Sequence, residues 1–410
     1  MSEKIMLKMG DIMLKGKNKK RIIDAFVNHI DDVLNSDGVE IERKHDRFYL
    51  HYSKENTPII VEKLKTISGL KSYTFVHSTT HDIEAMLTTI KSMIGMNHSH
   101  VQTFKVDTKR QNKRFPITSM ELSKKIGGML LDTYPQWRVD VIEPQWTIHI
   151  EIRQTHTDIY LNKIPLMGGF PVGMLGKGLL LMSGGLDSPV AGFLSMKQGI
   201  ALEIMHFEST PMTSIEASQK VVSITKKLAP YALKQTIQVH MVPFKTLHQA
   251  ILEFVPEDYS ITIMRRMMLR IASRYVMQHH IPVVITGESV GQVASQTLES
   301  MHVINAVTNV PIIRPLATYD KNDIMTIAKA IDTYDLSIQP FADCCSIYVP
   351  KKPATKPRTM YANRYERLFD YNHLVDEAIN QMITLHIQPT SDIQLDALGI
   401  TVQEALKGED

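Results

Sequence analysis

Leu179-Leu180-Leu181-Met182-Ser183-Gly184-Gly185-Leu186-Asp187-Ser188-Pro189 is the stretch on which the reading of this chain turns. Its first four residues form an uninterrupted apolar run, as expected of a strand covered on both faces of a parallel sheet. Val190, Phe193, Leu194 and Lys197 follow at helical spacing, so the segment reads as strand, glycine turn and helix. Paired glycines let the backbone turn tightly and meet a ligand without side-chain obstruction, and Pro189 suits a first helical turn because its missing N–H has no partner there. The exposed N–H groups at such a helix start form an anion site. Ser183 and Ser188 add hydroxyl donors, and Asp187 is suited to hold a magnesium ion bridging phosphates. The pattern GxxxxGK[ST] is absent, which excludes a Walker-type loop.

Outward from this segment, the runs Ala201 to Phe207, Gln238 to Val242 and Val283 to Thr286 are also continuous and apolar, and they alternate with helical stretches of crossover length. This predicts an α/β fold with a doubly wound parallel sheet, in which ligands sit beyond the carboxyl ends of the strands. The residues there are the candidates. Phe207 and Glu208 offer an aromatic face and a strand edge to an adenine ring, although an ordinary strand end explains them equally well. Thr286-Gly287-Glu288-Ser289 and Gly291 to Thr297, with Gln296, end the next strand in a cluster that packing alone explains poorly. Between Tyr259 and His280 a methionine-rich stripe marks a core helix, and Arg265 falls beside it, where a phosphate or a carboxylate would satisfy its charge. Asp320 is a plausible cap for a helix that begins with Lys321, within reach of an anion.

Upstream of the glycine-rich stretch Leu166 to Gly178 the texture changes. Short runs at Lys4 to Met9, Val39 to Arg43, Phe48 to Tyr52, Thr103 to Val106 and Thr147 to Ile152 read as strands, and Lys19 to Leu34 and Ser119 to Leu131 as helices. Small α+β modules follow from that pattern. Two basic clusters stand out: Lys15, Lys17, Lys19, Lys20 and Arg21, then Lys105, Lys109, Arg110, Lys113 and Arg114, with Phe104 and Phe115 nearby. Each suits phosphate contacts to a nucleic acid, or a solvated face.

The whole chain of 410 residues carries a formal charge of only +3, so any nucleic-acid argument rests on these clusters rather than on net charge. No apolar run reaches the roughly 18 residues of a membrane span and no secretory leader is evident, which predicts a cytoplasmic protein. The two cysteines, Cys344 and Cys345, are adjacent, with Cα atoms about 3.8 Å apart, closer than a disulfide ordinarily allows. Two thiols alone supply neither an iron–sulfur cluster nor a structural zinc site. The basic stretch that follows, Val349 to Pro357, reads as a loop able to activate a thiol, while a buried inert pair is the other reading.

The hexapeptide SGGLDS resembles the pyrophosphatase loop (PP-loop) of the ATP-pyrophosphatases. Taken in order with MHFES, the Arg265-Arg266 pair, GESVGQVASQT and YDKNDI, it makes the chain closely similar to the tRNA 4-thiouridine synthetases. GDIMLKGKNKKR and FKVDTKRQNKRFPITSMEL extend that similarity to the family's ferredoxin-like and THUMP regions. The resemblance implies a ferredoxin-like domain over 1–58, a THUMP RNA-binding domain over 59–166, a linker over 167–177 and a catalytic PP-loop domain over 178–410. It implies ATP with magnesium, held by Met182, Ser183, Gly184, Gly185, Ser188, Phe207, Glu208, Arg265, Gly287 and Gln296, with Asp187 and Lys321 catalytic; the metal ligands are left unassigned. It also implies that O4 of the uridine at position 8 of tRNA is adenylated and replaced by sulfur from a cysteine desulfurase persulfide, with Cys345 favoured over Cys344 as the persulfide or resolving thiol. Some relatives add a rhodanese domain with its own cysteine, and no cysteine follows Cys345 here. A second role, supplying the sulfur carrier protein of thiamine thiazole synthesis, and a homodimer are compatible with the resemblance. The rival readings are another PP-loop enzyme, such as a tRNA 2-thiouridylase or an amide-forming ligase, and a noncatalytic RNA-binding protein stabilised by nucleotide.

Overall fold

The computed structural model describes residues 2–10, 19–44, 47–95, 102–347 and 350–407, with the side chains of residues 2, 19, 36, 345, 346 and 407 left aside. Lys15 and Lys17 therefore lie outside the described residues, as does the side chain of Lys19. The chain divides into two compact units, one ending at Gly169 and the other beginning at Phe170.

The first unit holds two five-stranded sheets. In one, strand Ser2–Met9 lies between Arg47–Ser53 and Leu70–Phe75, all antiparallel, with Glu40–Lys44 and Ile164–Pro165 at the edges. Helix Lys19–Leu34 presents Ile23, Phe26 and Ile30 to the sheet's Leu7, Phe48 and Leu50, so the 3.6-residue period of the helix meets the two-residue period of the strands in one core. The other sheet pairs Thr103–Arg110 parallel with Trp146–Ile152. Helix Ser119–Thr133 covers it, started by a capping box in which Thr118 accepts from the Glu121 N–H and Glu121 accepts from the Thr118 N–H. Buried charges tie the two sheets: Arg47 donates to Glu151 at 2.6 Å, and Arg153 reaches both Asp158 at 3.2 Å and the Tyr49 hydroxyl at 2.6 Å.

The second unit is built on a six-stranded sheet. Its order across the sheet is Ile312–Ile313, Val284–Ile285, Lys177–Leu181, Ala201–Glu208, Ile237–Pro243 and Ile383–Ile387. The first five are parallel and the last is antiparallel, which makes the sheet mixed at one edge. The apolar runs of the sequence form the four central strands. Chain order runs outward from Lys177–Leu181 on one side and then restarts on the other with Val284–Ile285. Helices Asp187–Lys197 and Ile215–Leu228 contribute to the core on one face and Ser260–Gln278 to that on the other. The order reverses between Lys177–Leu181 and Val284–Ile285, and a crevice beyond their carboxyl ends is where such sheets bind ligands.

Candidate functional site

At that reversal the glycine turn is held by its own serines. Ser188 Oγ donates to the Ser183 carbonyl at 3.0 Å and accepts from the Ser183 N–H at 3.1 Å, while the Gly185 N–H reaches Ser183 Oγ at 3.3 Å. Below the turn, the Met182 carbonyl accepts from His206 Nδ1 at 3.0 Å, locking it to the neighbouring strand. Gly287 is required by contact: a Cβ there would lie 2.7 Å from the Ser188 nitrogen and 2.8 Å from the Asp187 carbonyl carbon. The loop after Val284–Ile285 thus rests directly on the start of helix Asp187–Lys197, with no room for a side chain between them.

A cavity of about 170 Å³ opens here, larger than the roughly 150 Å³ that accepts a benzene ring, so a planar ring fits within it. Met182, Ser183, Asp187, Ser188, Phe207, Arg265, Gly287, Gln296 and Cys344 all line it, which brings together nine of the residues singled out from the sequence. Phe207 supplies an apolar wall, braced edge-on by Phe244 at 5.4 Å. Burial pushes the Asp187 carboxyl above its ordinary range, and Lys321 acts in the opposite direction. A desolvated carboxylate so placed is suited to a cation.

Arg265 Nη1 donates to Glu288 Oε1 at 2.7 Å; Arg314 Nε donates to Glu288 Oε2 at 2.7 Å. One carboxylate therefore serves two guanidinium groups at this end of the cavity, while Asp187 and Asp343 line it elsewhere. Arg265 Nε and Gln296 Oε1 are buried with no hydrogen-bond partner among the described residues. Buried polar atoms of this kind normally find a partner, so their place in the cavity wall points to a polar ligand.

Other candidates fall elsewhere. The Glu208 carboxylate accepts from the Thr210 N–H at 2.8 Å and hydroxyl at 2.6 Å, and it does not line the cavity. Lys321 is exposed at the start of helix Lys321–Ala330, which Asp320 caps through the Asn322 and Asp323 N–H groups. Gly184 and Gly185 belong to the turn rather than to the cavity wall. Cys344 is 4% exposed and begins the short helix Cys344–Ile347, which also contains Cys345. Among the described residues, no group of three or more His, Cys, Asp or Glu is arranged to hold a metal ion, and no helix is long and apolar enough to cross a membrane.

Of the basic residues in the first unit, Lys20, Arg21, Lys109, Lys113 and Arg114 are exposed and Lys105 is half-buried. Arg110 instead donates to the carbonyls of Phe115 at 3.0 Å and Ile117 at 2.6 Å, stapling the turn between them. Phe104 and Phe115 are both buried in the core. Lys163 titrates below an ordinary lysine, because of burial first and then the nearby cations Lys8, Lys109 and Arg47. Asp107 opposes those cations at Lys163.

Comparison with known proteins agrees with this geometry. Family models match residues 4–74 (ThiI ferredoxin-like domain), 80–162 (THUMP domain) and 173–370 (thiamine biosynthesis protein, ThiI). A probable tRNA sulfurtransferase of Acholeplasma laidlawii (strain PG-8A) is 46% identical over 406 residues, covering 99% of this chain and 98% of that one. This chain belongs to the ThiI family of tRNA sulfurtransferases. Another member, a probable tRNA sulfurtransferase of Oceanobacillus iheyensis, is 43% identical over 388 residues, 93% of this chain and 95% of that one. Among solved structures, a 4-thiouridine synthetase–RNA complex with bound ATP superposes with a TM-score of 0.85 at 32% identity, covering 95% of this chain and all of that one. The family resemblance carried by SGGLDS, GESVGQVASQT and YDKNDI is thereby borne out.

Four members of the site escaped the sequence reading. Glu288 stood inside a quoted motif, but its clamp on two arginines needs the fold. Arg314 follows a two-residue strand too short to be read as one. Lys220 and Asp343 meet the glycine turn only through tertiary contact: Asp343 Oδ2 accepts from the Gly184 N–H at 2.9 Å, and a Cβ on Gly184 would lie 2.3 Å from Lys220 Cε.

Proposed function

We propose that this chain adenylates O4 of the uridine at position 8 of tRNA with ATP and then exchanges that oxygen for sulfur. The observation that carries this reading is the single cavity in which the phosphate-type turn, Asp187, the incompletely bonded Arg265 and Cys344 meet. The 4-thiouridine synthetase that superposes on the chain is described as bound to RNA and ATP, which supports both ligands here.

In this reading the adenine packs on Phe207, and the turn N–H groups with Ser183 and Ser188 receive phosphate oxygens. Arg265 directs its open Nε to an anion. The uridine O4 attacks the α-phosphorus and pyrophosphate departs, so the oxygen becomes part of an AMP leaving group. The outer sulfur of a cysteine persulfide then attacks C4, the C4–O bond breaks, and AMP leaves with the former O4. A second thiol attacks the cysteine's own sulfur, which breaks the S–S bond, frees 4-thiouridine and leaves a disulfide for an external thiol reductant to reduce. Magnesium usually takes one or two protein carboxylates and completes its shell with phosphates and water. Asp187 alone fits that need, and the ion would neutralise charge on the departing pyrophosphate. Lys321 acts at longer range on the same charges.

Cys345 is the favoured persulfide or resolving thiol, with Cys344 beside it, and a cysteine desulfurase supplies the sulfur. Ferredoxin-like and THUMP modules in the first unit grip tRNA phosphates through Lys20, Arg21, Lys105, Lys109, Lys113 and Arg114, with Lys15, Lys17 and Lys19 continuing the first cluster. Such contacts position the RNA and carry little sequence information. The protein works in the cytoplasm, and a second delivery of sulfur to thiamine thiazole synthesis is part of the same proposal.

Cys345→Ser tests the division of labour. In a single turnover with tRNA, ATP and a persulfidated desulfurase, AMP should still form while 4-thiouridine does not, because activation uses no thiol. Normal thiolation by the Cys344→Ser/Cys345→Ser double variant would remove the covalent role of both residues.

A further inference from the structure

The segment that carries the cysteines is tied to the glycine turn at two points. Asp343 accepts the Gly184 N–H at 2.9 Å. Lys220, only 4% exposed, donates to the carbonyls of Phe341 at 2.8 Å and Gln339 at 3.2 Å. Its aliphatic stem crosses directly over Gly184, where a Cβ would collide with it, so the turn, the lysine and residues 339–343 form one packed knot. Cys344, the next residue, is held at the cavity wall.

We propose that Asp343 is a positioning residue that holds the cysteine segment on the phosphate turn until nucleotide displaces it. This rests on the reading of the turn as the phosphate site. The Gly184 N–H is one of the donors that an anion at such a turn receives, and the Asp343 carboxylate already occupies it. A single N–H cannot serve both at full strength, and a phosphate brought beside that carboxylate meets like charge in a partly dry site. Nucleotide binding therefore breaks the Asp343 contact and frees the segment that bears Cys344. Lys220 makes the exchange economical: burial lowers its pKa and the Asp343 charge opposes that, so an incoming phosphate replaces the anion that the ammonium loses. The Cys344 thiol stays covered while no ATP is bound and becomes available once the activating nucleotide is in place.

The test uses the full chain, α,β-methylene-ATP with magnesium, calorimetry, and iodoacetamide labelling of Cys344 read by peptide mass spectrometry. Wild-type Cys344 should label slowly alone and about tenfold faster at saturating analogue, in line with losing one charge-assisted hydrogen bond. Asp343→Ala, which removes the acceptor, should label at the fast rate with or without the analogue, and bind it about tenfold more tightly. Lys220→Met, which cuts the second tether, should also label quickly without nucleotide. If the wild-type chain binds the analogue but its Cys344 labelling does not change, the latch is wrong and the phosphate reading stands. If calorimetry shows no binding by the wild-type chain, the phosphate reading fails and the latch fails with it. Should either variant not fold, the wild-type pair of rates still decides the matter.

Discussion

Arg265 and Arg266 are adjacent on one helix, yet they end in opposite kinds of polar region. Arg266 is 1% exposed and complete: it donates to Glu366 at 2.8 and 2.9 Å, to the Val303 carbonyl at 2.7 Å and to Asn363 at 2.6 Å. Arg270 reaches the same Glu366 at 2.9 Å. Arg265 turns toward the cavity, shares Glu288 with Arg314 and keeps a buried Nε without a partner among the described residues. A second closed network lies in the same unit, where Glu203 accepts from the Tyr275 hydroxyl at 3.1 Å, pairs with His240 at 3.2 Å and with Lys177 at 2.9 Å. Closed networks hold the fold, and the open one is prepared for a ligand. Burial alone does not separate them; completeness does.

The contrast breaks most severely at Glu366. Glu366→Ala strands Arg266 in the core and should cost about 3–5 kcal/mol in urea unfolding, while AMP formation per folded molecule stays near normal. Asp187→Ala should do the reverse. Its unfolding free energy should stay within about 1 kcal/mol of wild type, and tRNA-dependent AMP formation should fall at least about a hundredfold. Equal AMP formation by this variant would place the phosphate site elsewhere.

The pH dependence sharpens the closed side. His240 foremost, with Lys177 and Tyr275, holds the Glu203 carboxyl down at about 2. A carboxyl depressed by folding stabilises above its ordinary titration range, and the benefit is lost as pH falls toward the folded value. Wild-type stability should therefore decline between about pH 4.5 and 2, and Glu203→Gln should be less stable at neutral pH with a flatter curve in that window. Parallel curves in urea titrations would contradict the assignment. The smallest effect belongs to the exposed cations of the first unit. Lys113→Ala and Arg114→Ala should each lower the slope of log affinity for tRNA against log salt by about 1, with folding unchanged.

The sequence made the central strands legible through their largely apolar runs, of which Leu179 to Met182 follows Gly178 and Val283 to Thr286 precedes Gly287, and it made the turn legible because SGGLDS carries strand, turn and helix signals together. It was weaker where a signal is short or shared. Strand Ile312–Ile313 has two residues, and edge strand Ile383–Ile387 exposes one face, so neither carries a continuous apolar run. Helix Thr57–Thr66 and strand Leu70–Phe75, which pairs with Ser2–Met9, passed unread among charged residues. Arg110 shows the limit of charge counting: it has the composition of a nucleic-acid contact and the geometry of a turn staple. Phe104 and Phe115 likewise sit near the cluster in sequence but face the core. Asp343 and Lys220 could not be paired with Gly184 from sequence at all, since more than thirty residues separate each from it and only the packed sheet brings them together.

The central claim is that O4 of the uridine is carried away on AMP. The direct measurement is a single turnover with tRNA bearing oxygen-18 at O4 of uridine 8, ATP, and a persulfidated desulfurase, followed by mass analysis of the AMP. The account predicts heavy oxygen in the phosphate of AMP, in the same amount as the 4-thiouridine formed. Light AMP alongside normal 4-thiouridine would show that ATP does not activate that oxygen, and the adenylation mechanism would be wrong.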